Sequence, residues 1–166
     1  MNLVKILLLV AVVISLGCKK ELANNKTDSK IYFTGITKTD IDGSLLSLPD
    51  TTDWHFDDHW NSKENDLFSS KNLTSNQKCT TSICLFPNPF TDIFMIDLNK
   101  MPAKSRIAFR LVNKEFQVIM SNDSVTSSIS IMPSDISTYD TLRLYYKLID
   151  SLNYEYKGHG DILIKK

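Results

Sequence analysis

Three histidines are the residues best suited to hold a metal or move a proton. Two of them, His55 and His59, stand four apart in Asp53-Trp54-His55-Phe56-Asp57-Asp58-His59-Trp60. On a helix both imidazoles would share a face, and on a strand His55, Asp57 and His59 would align. Two histidines and a carboxylate suit a borderline cation such as zinc, so these three residues form the candidate metal set. No His-Glu-x-x-His pattern accompanies them, and no distant further ligand stands out. The competing arrangement buries Trp54, Phe56 and Trp60 and turns the histidines to water, and the residue types favour it.

His159 lies between Gly158 and Gly160 and precedes Asp161. Nucleophilic catalysis there would need an activated Ser or Cys, and no Gly-x-Ser-x-Gly elbow occurs. The glycines suit a tight turn or bulge before a last strand. No glycine-rich phosphate loop is present. Tyr145, Tyr154 and Tyr156 could stack on sugars or form cross-strand pairs. Cys79 and Cys84 close a short loop, too few ligands for zinc but a candidate disulfide outside the cytoplasm. The expectation is therefore no catalytic residues, no cofactor and no enzyme.

Elements must position these residues, and their pattern is period two. Phe94, Ile96 and Leu98 share a face, as do Ile107, Phe109 and Leu111. Phe116, Val118 and Met120 follow, then Ile129 and Ile131. Leu142, Leu144, Tyr146 and Leu148 alternate with Arg143, Tyr145 and Lys147, and Ile162 and Ile164 finish the chain. Such runs, separated by polar turn residues, describe antiparallel strands with one buried face. A further strand is expected at Ile31-Tyr32-Phe33-Thr34, and a short helix after Ser62. The fold class expected is all-β: a small antiparallel immunoglobulin-like sandwich, with an irregular aromatic segment from the N-terminal half packed on it.

The chain has 166 residues, 19 basic and 19 acidic, enough for one domain with a real core. No basic stripe is visible, so nucleic acid is excluded as an expected partner. At the start, Lys5 precedes the apolar run Ile6 to Ile14, and Lys19, Lys20 and Glu21 follow Cys18. Spanning a bilayer takes about 20 apolar residues, so this shorter run reads as a signal peptide. Ser15-Leu16-Gly17-Cys18 resembles the lipobox of bacterial lipoproteins. That resemblance implies cleavage before Cys18, acylation of Cys18 and attachment to a membrane through its acyl chains. Lys19, in the place where Asp retains enterobacterial members at the inner membrane, implies the outer membrane.

Leu85-Phe86-Pro87-Asn88-Pro89-Phe90-Thr91-Asp92, leading into Phe94-Met95-Ile96, resembles the opening of type A sorting domains of Bacteroidota type IX secretion. The likeness implies a C-terminal sandwich. The turn Asn113-Lys114-Glu115-Phe116 lacks that family's glycine, and a lipid anchor makes a sorting tag redundant, so the sorting role is not carried over. The mature chain also resembles small Bacteroidota lipoproteins through Thr52-Asp53-Trp54, Tyr145-Tyr146-Lys147 and Gly158-His159-Gly160-Asp161-Ile162. In that phylum Asp-Ser/Thr before an apolar residue accepts O-glycans, which implies Ser124, Thr141 and Ser151 as acceptors. The same residues also suit plain turns.

The expected organisation is a signal peptide at 1–17, a lipidated cysteine and tether at 18–30, a strand and irregular segment at 31–84, and the sandwich at 85–166. The expected role is a non-enzymatic outer-membrane interaction or envelope-structural module, with an unknown envelope protein or glycan as its partner. The alternative is a surface module that binds glycan or a divalent metal through the Trp54 to Trp60 segment.

Overall fold

The computed structural model describes residues 30–56, 59–69, 73–74, 83–98, 100–132 and 138–166. Two sheets face each other. The larger is built from β5 (Arg106–Val112), β6 (Val118–Val125), β8 (Thr141–Ile149) and β9 (Tyr154–Leu163), with short β1 (His55–Phe56) and β2 (Leu73–Thr74) on the edge of β9. Its order is β1-β9-β8-β5-β6, antiparallel throughout except that β2 runs parallel to β9. The smaller sheet orders β3 (Cys84–Phe86), β4 (Phe94–Asp97) and β7 (Ile129–Ile131) as β3-β4-β7. This is an all-β sandwich.

The inner faces carry the expected alternation. Ile107, Phe109 and Leu111 of β5 and Leu142, Leu144, Tyr146 and Leu148 of β8 meet Leu85, Phe94, Ile96 and Ile131 of the smaller sheet. Burial of a large apolar side chain contributes about 1.5–3 kcal/mol, so this interlayer cluster dominates the fold. β6 departs from the pattern. Val118 is exposed, Phe116 lies in the preceding turn at positive φ, and the pairing with β5 slips register twice. β6 is the outer edge of the sheet, where such irregularity blunts further pairing.

The strand expected at Ile31 is absent: residues 31–38 belong to no strand ladder. The Ile31 N–H donates to the Lys114 carbonyl at 2.7 Å, and Ile31 joins Trp60, Phe68, Ala108, Val112 and Tyr145 in a second cluster on the outer face of the larger sheet. Side-chain packing rather than strand pairing holds this segment. The short helix α1 (Ser62–Asp66) is capped by Asn61, one residue before the expected Ser62. The Asn61 side chain accepts from the Glu64 N–H while the Glu64 carboxylate accepts from the Asn61 N–H, a reciprocal cap.

Gly158 and Gly160 form no turn; both lie inside β9. A Cβ on Gly160 would overlap the Trp54 indole, and one on Gly158 would overlap the Tyr146 ring and the His55 carbonyl. The glycines therefore make room for the rings at the sheet edge, where Trp54 stacks parallel to Tyr146 and Phe56 meets Tyr146 edge-on. Gly160→Ala should destabilise the fold by about 2 kcal/mol or more through this overpacking, read as a lower urea midpoint with unchanged m-value.

Past β1, side chains cover the edge of β9. Asp53 accepts from the Asp161 N–H and the Thr37 N–H, both at 2.7 Å. The Asn88 amide donates to the Asp161 carbonyl at 2.9 Å and the Thr37 carbonyl at 2.8 Å, and its oxygen accepts from the Leu163 N–H at 2.8 Å. Asn88 is fully buried. Asn88→Ala leaves three backbone groups along a buried to half-buried edge without their partner, so a loss of about 3 kcal/mol or more is expected in equilibrium denaturation. A loss below about 1 kcal/mol would contradict this role for Asn88.

Candidate functional site

The outer face of the larger sheet gathers the side chains with chemical potential. His55 of β1, His159 of β9, Tyr145 of β8 and Arg110 of β5 stand opposite one another in register, a single row across the sheet. Neighbouring rows bring Asp161 opposite Arg143 and Lys157 opposite Lys147. Alternation predicts these positions, but the segment from Ile31 to Phe68 covers most of them. Tyr145, Lys147, Glu155 and Asp161 are buried.

The contacts form a clamp. Arg143 grips Asp161 with Nε and Nη2 at 2.6 and 2.7 Å, a bidentate pair. Lys147 and Lys157 both face Glu155, at 3.1 and 3.7 Å. The Tyr145 hydroxyl donates to Glu64 at 2.9 Å, Lys157 donates to the Asn65 side chain at 2.8 Å, and Arg110 Nε donates to the Leu67 carbonyl at 3.0 Å. Trp60 lies edge-on to Tyr145 and stacks near Phe68, and the Arg110 guanidinium sits 4.8 Å from the Phe68 ring centre. Burial pushes the Tyr145 hydroxyl well above its usual range, and nearby Glu64 adds to the shift. Such a phenol is a hydrogen-bond donor here, not a base.

The structure brings His55, His159 and Tyr145 into one row but, among the described residues, does not gather a metal set from the sequence candidates. His55 and His59 are exposed, whereas Trp60 is buried and Trp54 and Phe56 are half-buried. Asp57 lies outside the described residues, and among the described residues no three His, Cys, Asp or Glu side chains gather as a metal group. Cys84 is half-buried in β3 and burial pushes its thiol up; Cys79 lies outside the described residues, as does Cys18. Ser124 is exposed on β6, Ser151 is exposed in the β8–β9 turn, and Thr141 is half-buried at the start of β8. Of the tyrosines considered for stacking on sugars, Tyr145 is fully buried, Tyr156 packs edge-on against Phe56, and Tyr154 remains partly exposed.

A cleft of about 340 Å³, lined by Phe33, Lys114, Glu115, Thr138, Tyr139, Asp140 and Thr141, opens where the Ile31 segment crosses the start of β8. It offers two aromatic rings beside charged and hydroxyl groups, a mixture suited to a small polar ligand. Sequence reasoning missed it because Phe33 and Tyr139 are far apart in the chain. The nearest signal was Asp140-Thr141, read there as a glycan acceptor.

Burial raises the Asp53 carboxyl to about 6, against the pull of the amides of Thr37 and Asp161. The folded state therefore holds a proton there that the unfolded chain releases near pH 3.8. This contribution is full below the unfolded value and is lost as pH rises through about 6. With solvent screening we expect a loss of about 1–2 kcal/mol across that window. Urea midpoints measured from pH 4 to 7 should show the decline, and Asp53→Asn should flatten it while lowering stability at every pH. No protein family, curated protein or solved structure matches the chain.

Proposed function

We propose that the chain is a lipid-anchored protein of a bacterial outer membrane, whose sandwich serves as a non-enzymatic interaction module. Support for the anchor comes from the apolar run after Lys5 and the Gly17-Cys18 junction. The module reading rests on one structural observation. Arg143 is paired with Asp161 and Lys147 with Glu155 on the sheet beneath the Ile31 to Phe68 segment, and Tyr145 is bonded to Glu64 of that segment, so these polar groups are engaged in structural contacts. Buried, mutually bonded charges act as positioning devices when removing one partner strands the other.

The cleft beside Phe33 and Tyr139 favours a second reading, a glycan-binding module. Trp54 and Trp60 supply packing to the two faces of the larger sheet, so sugar stacking belongs at the cleft instead. A metal-binding role would rest on His55 and His59, which stand exposed.

Three measurements separate these readings. Palmitate should label the expressed protein and be lost in Cys18→Ser; labelling that survives the change would sink the anchor. Zinc titration should give equal, nonspecific uptake in the parent and in His55→Ala/His59→Ala. A glycan-array signal abolished by Tyr139→Ala would put the second reading ahead of the first.

A further inference from the structure

We infer that the loop from Ile41 to Leu48 is a second membrane contact, inserting apolar side chains into the interfacial region of the bilayer that carries the anchor. This rests on the lipid-anchor reading above and adds a site to it. The loop exposes Ile41 at 76 %, Leu45 at 55 %, Leu46 at 59 % and Leu48 at 93 %. Single exposed leucines are ordinary, but four large apolar side chains within eight residues make a patch that ordinarily meets an apolar partner.

The loop is built rather than slack. Asp40 Oδ1 accepts from the N–H groups of Asp42 and Ser44, both at 2.9 Å, and the Leu46 N–H donates to the Lys38 carbonyl at 3.0 Å. Gly43 turns at φ +83° against the Phe86 ring, a conformation that favours glycine. Thr39 exchanges backbone bonds with Asn88 at the loop's base. The only charges from Asp40 to Leu48 are Asp40, whose carboxylate closes the turn, and Asp42.

Its position identifies the occupant. The Ile31 N–H bonds to Lys114, just beyond the end of β5, and Asn88 bonds to Leu163, which pairs with Thr141 at the start of β8. Chain entry and loop base thus share one end of the sandwich. Cys18 precedes Lys30 by twelve residues, a reach of at most about 40 Å when fully extended. A tether that enters at this end lets it approach the lipid surface more readily than the opposite end, about 30 Å further along β8. Leucine and isoleucine side chains buried at the headgroup–acyl boundary then reinforce the acyl chains. Leu152 is exposed at 70 % but sits in the β8–β9 turn, about 30 Å away along β8. It serves as the internal control.

The test uses the full-length acylated protein in phosphatidylethanolamine/phosphatidylglycerol vesicles, with a nitroxide on Leu46→Cys, Leu48→Cys or Leu152→Cys in a Cys79→Ser/Cys84→Ser background. The oxygen-to-nickel accessibility ratio should be about tenfold higher at positions 46 and 48 than at 152 if the loop enters the interface. Equal ratios, in protein whose N-terminal peptide carries the acyl mass, would overturn the loop assignment and leave the anchor standing. An unmodified N-terminal peptide would instead overturn the anchor. Dipolar broadening at 46 and 48 would put a second copy of the chain on the loop and defeat the membrane assignment. These positions are exposed, and circular dichroism confirms folding before labelling.

Discussion

β9 runs beyond the end of β1, and from that point its outward amide and carbonyl groups need partners other than a strand. Trp54 carries backbone bonding one step past β1, donating to the His159 carbonyl at 2.9 Å. Two residues further on, Asp53 accepts from the Asp161 N–H and Asn88 donates to its carbonyl; two beyond that, Asn88 and Phe90 serve the two groups of Leu163. An uncovered edge is a template for unwanted pairing, and buried unpaired backbone groups are costly. Because the same two side chains also bond to both backbone groups of Thr37, covering the edge fixes the path of the N-terminal segment. That path carries the chain from Ile31 at one margin of the sheet to Thr39 beside the smaller sheet.

Once the segment is held there, the larger sheet is buried on both faces. Its inner face is apolar by alternation, and its outer face is polar by the same alternation, so covering the outer face buries charge. The solution is pairing: Arg143 with Asp161, Lys147 and Lys157 with Glu155. A buried pair adds little net stability but strongly disfavours arrangements that separate its members. The apolar part of the cover comes from Ile31, Trp60 and Phe68 against Ala108, Val112 and Tyr145. Apolar contacts thus hold the cover on, and polar contacts set where it lies.

Much of the sandwich was legible because one-sided strands write their burial into period two. Phe94, Ile96, Ile107, Phe109, Leu142 and Leu144 all face the interlayer core, as their spacing required. What failed involved long-range partners. Ile31-Tyr32-Phe33 has strand-like composition, yet its neighbour is a sheet face and no strand offers it a ladder. Gly158 and Gly160 look like turn residues until the Trp54 and Tyr146 rings occupy the space where their side chains would be. Tyr145 sits at an outward position by alternation and is nevertheless fully buried, because the cover lies some eighty residues earlier in sequence. Asn88 stood out in the sequence only as part of the Pro87-Asn88-Pro89 stretch; its bonds to Thr37, Asp161 and Leu163 were not legible.

The two layers of burial differ in kind, and that difference bears on motion. The interlayer core joins long strands through a continuous apolar cluster, so opening it amounts to global unfolding. The cover is shorter and more polar; its helix spans five residues, none of them buried, and is held by the Asn61–Glu64 cap and side-chain bonds to Tyr145 and Lys157. A segment held in this way opens at lower free energy than the strands beneath it. Asp53, Asn88 and Asp161 mark where that opening must stop, because releasing them exposes the edge of β9 itself. The boundary between a region that can yield and a region that must stay shut therefore falls at Thr37 and Asp53, where side chains take over from β1.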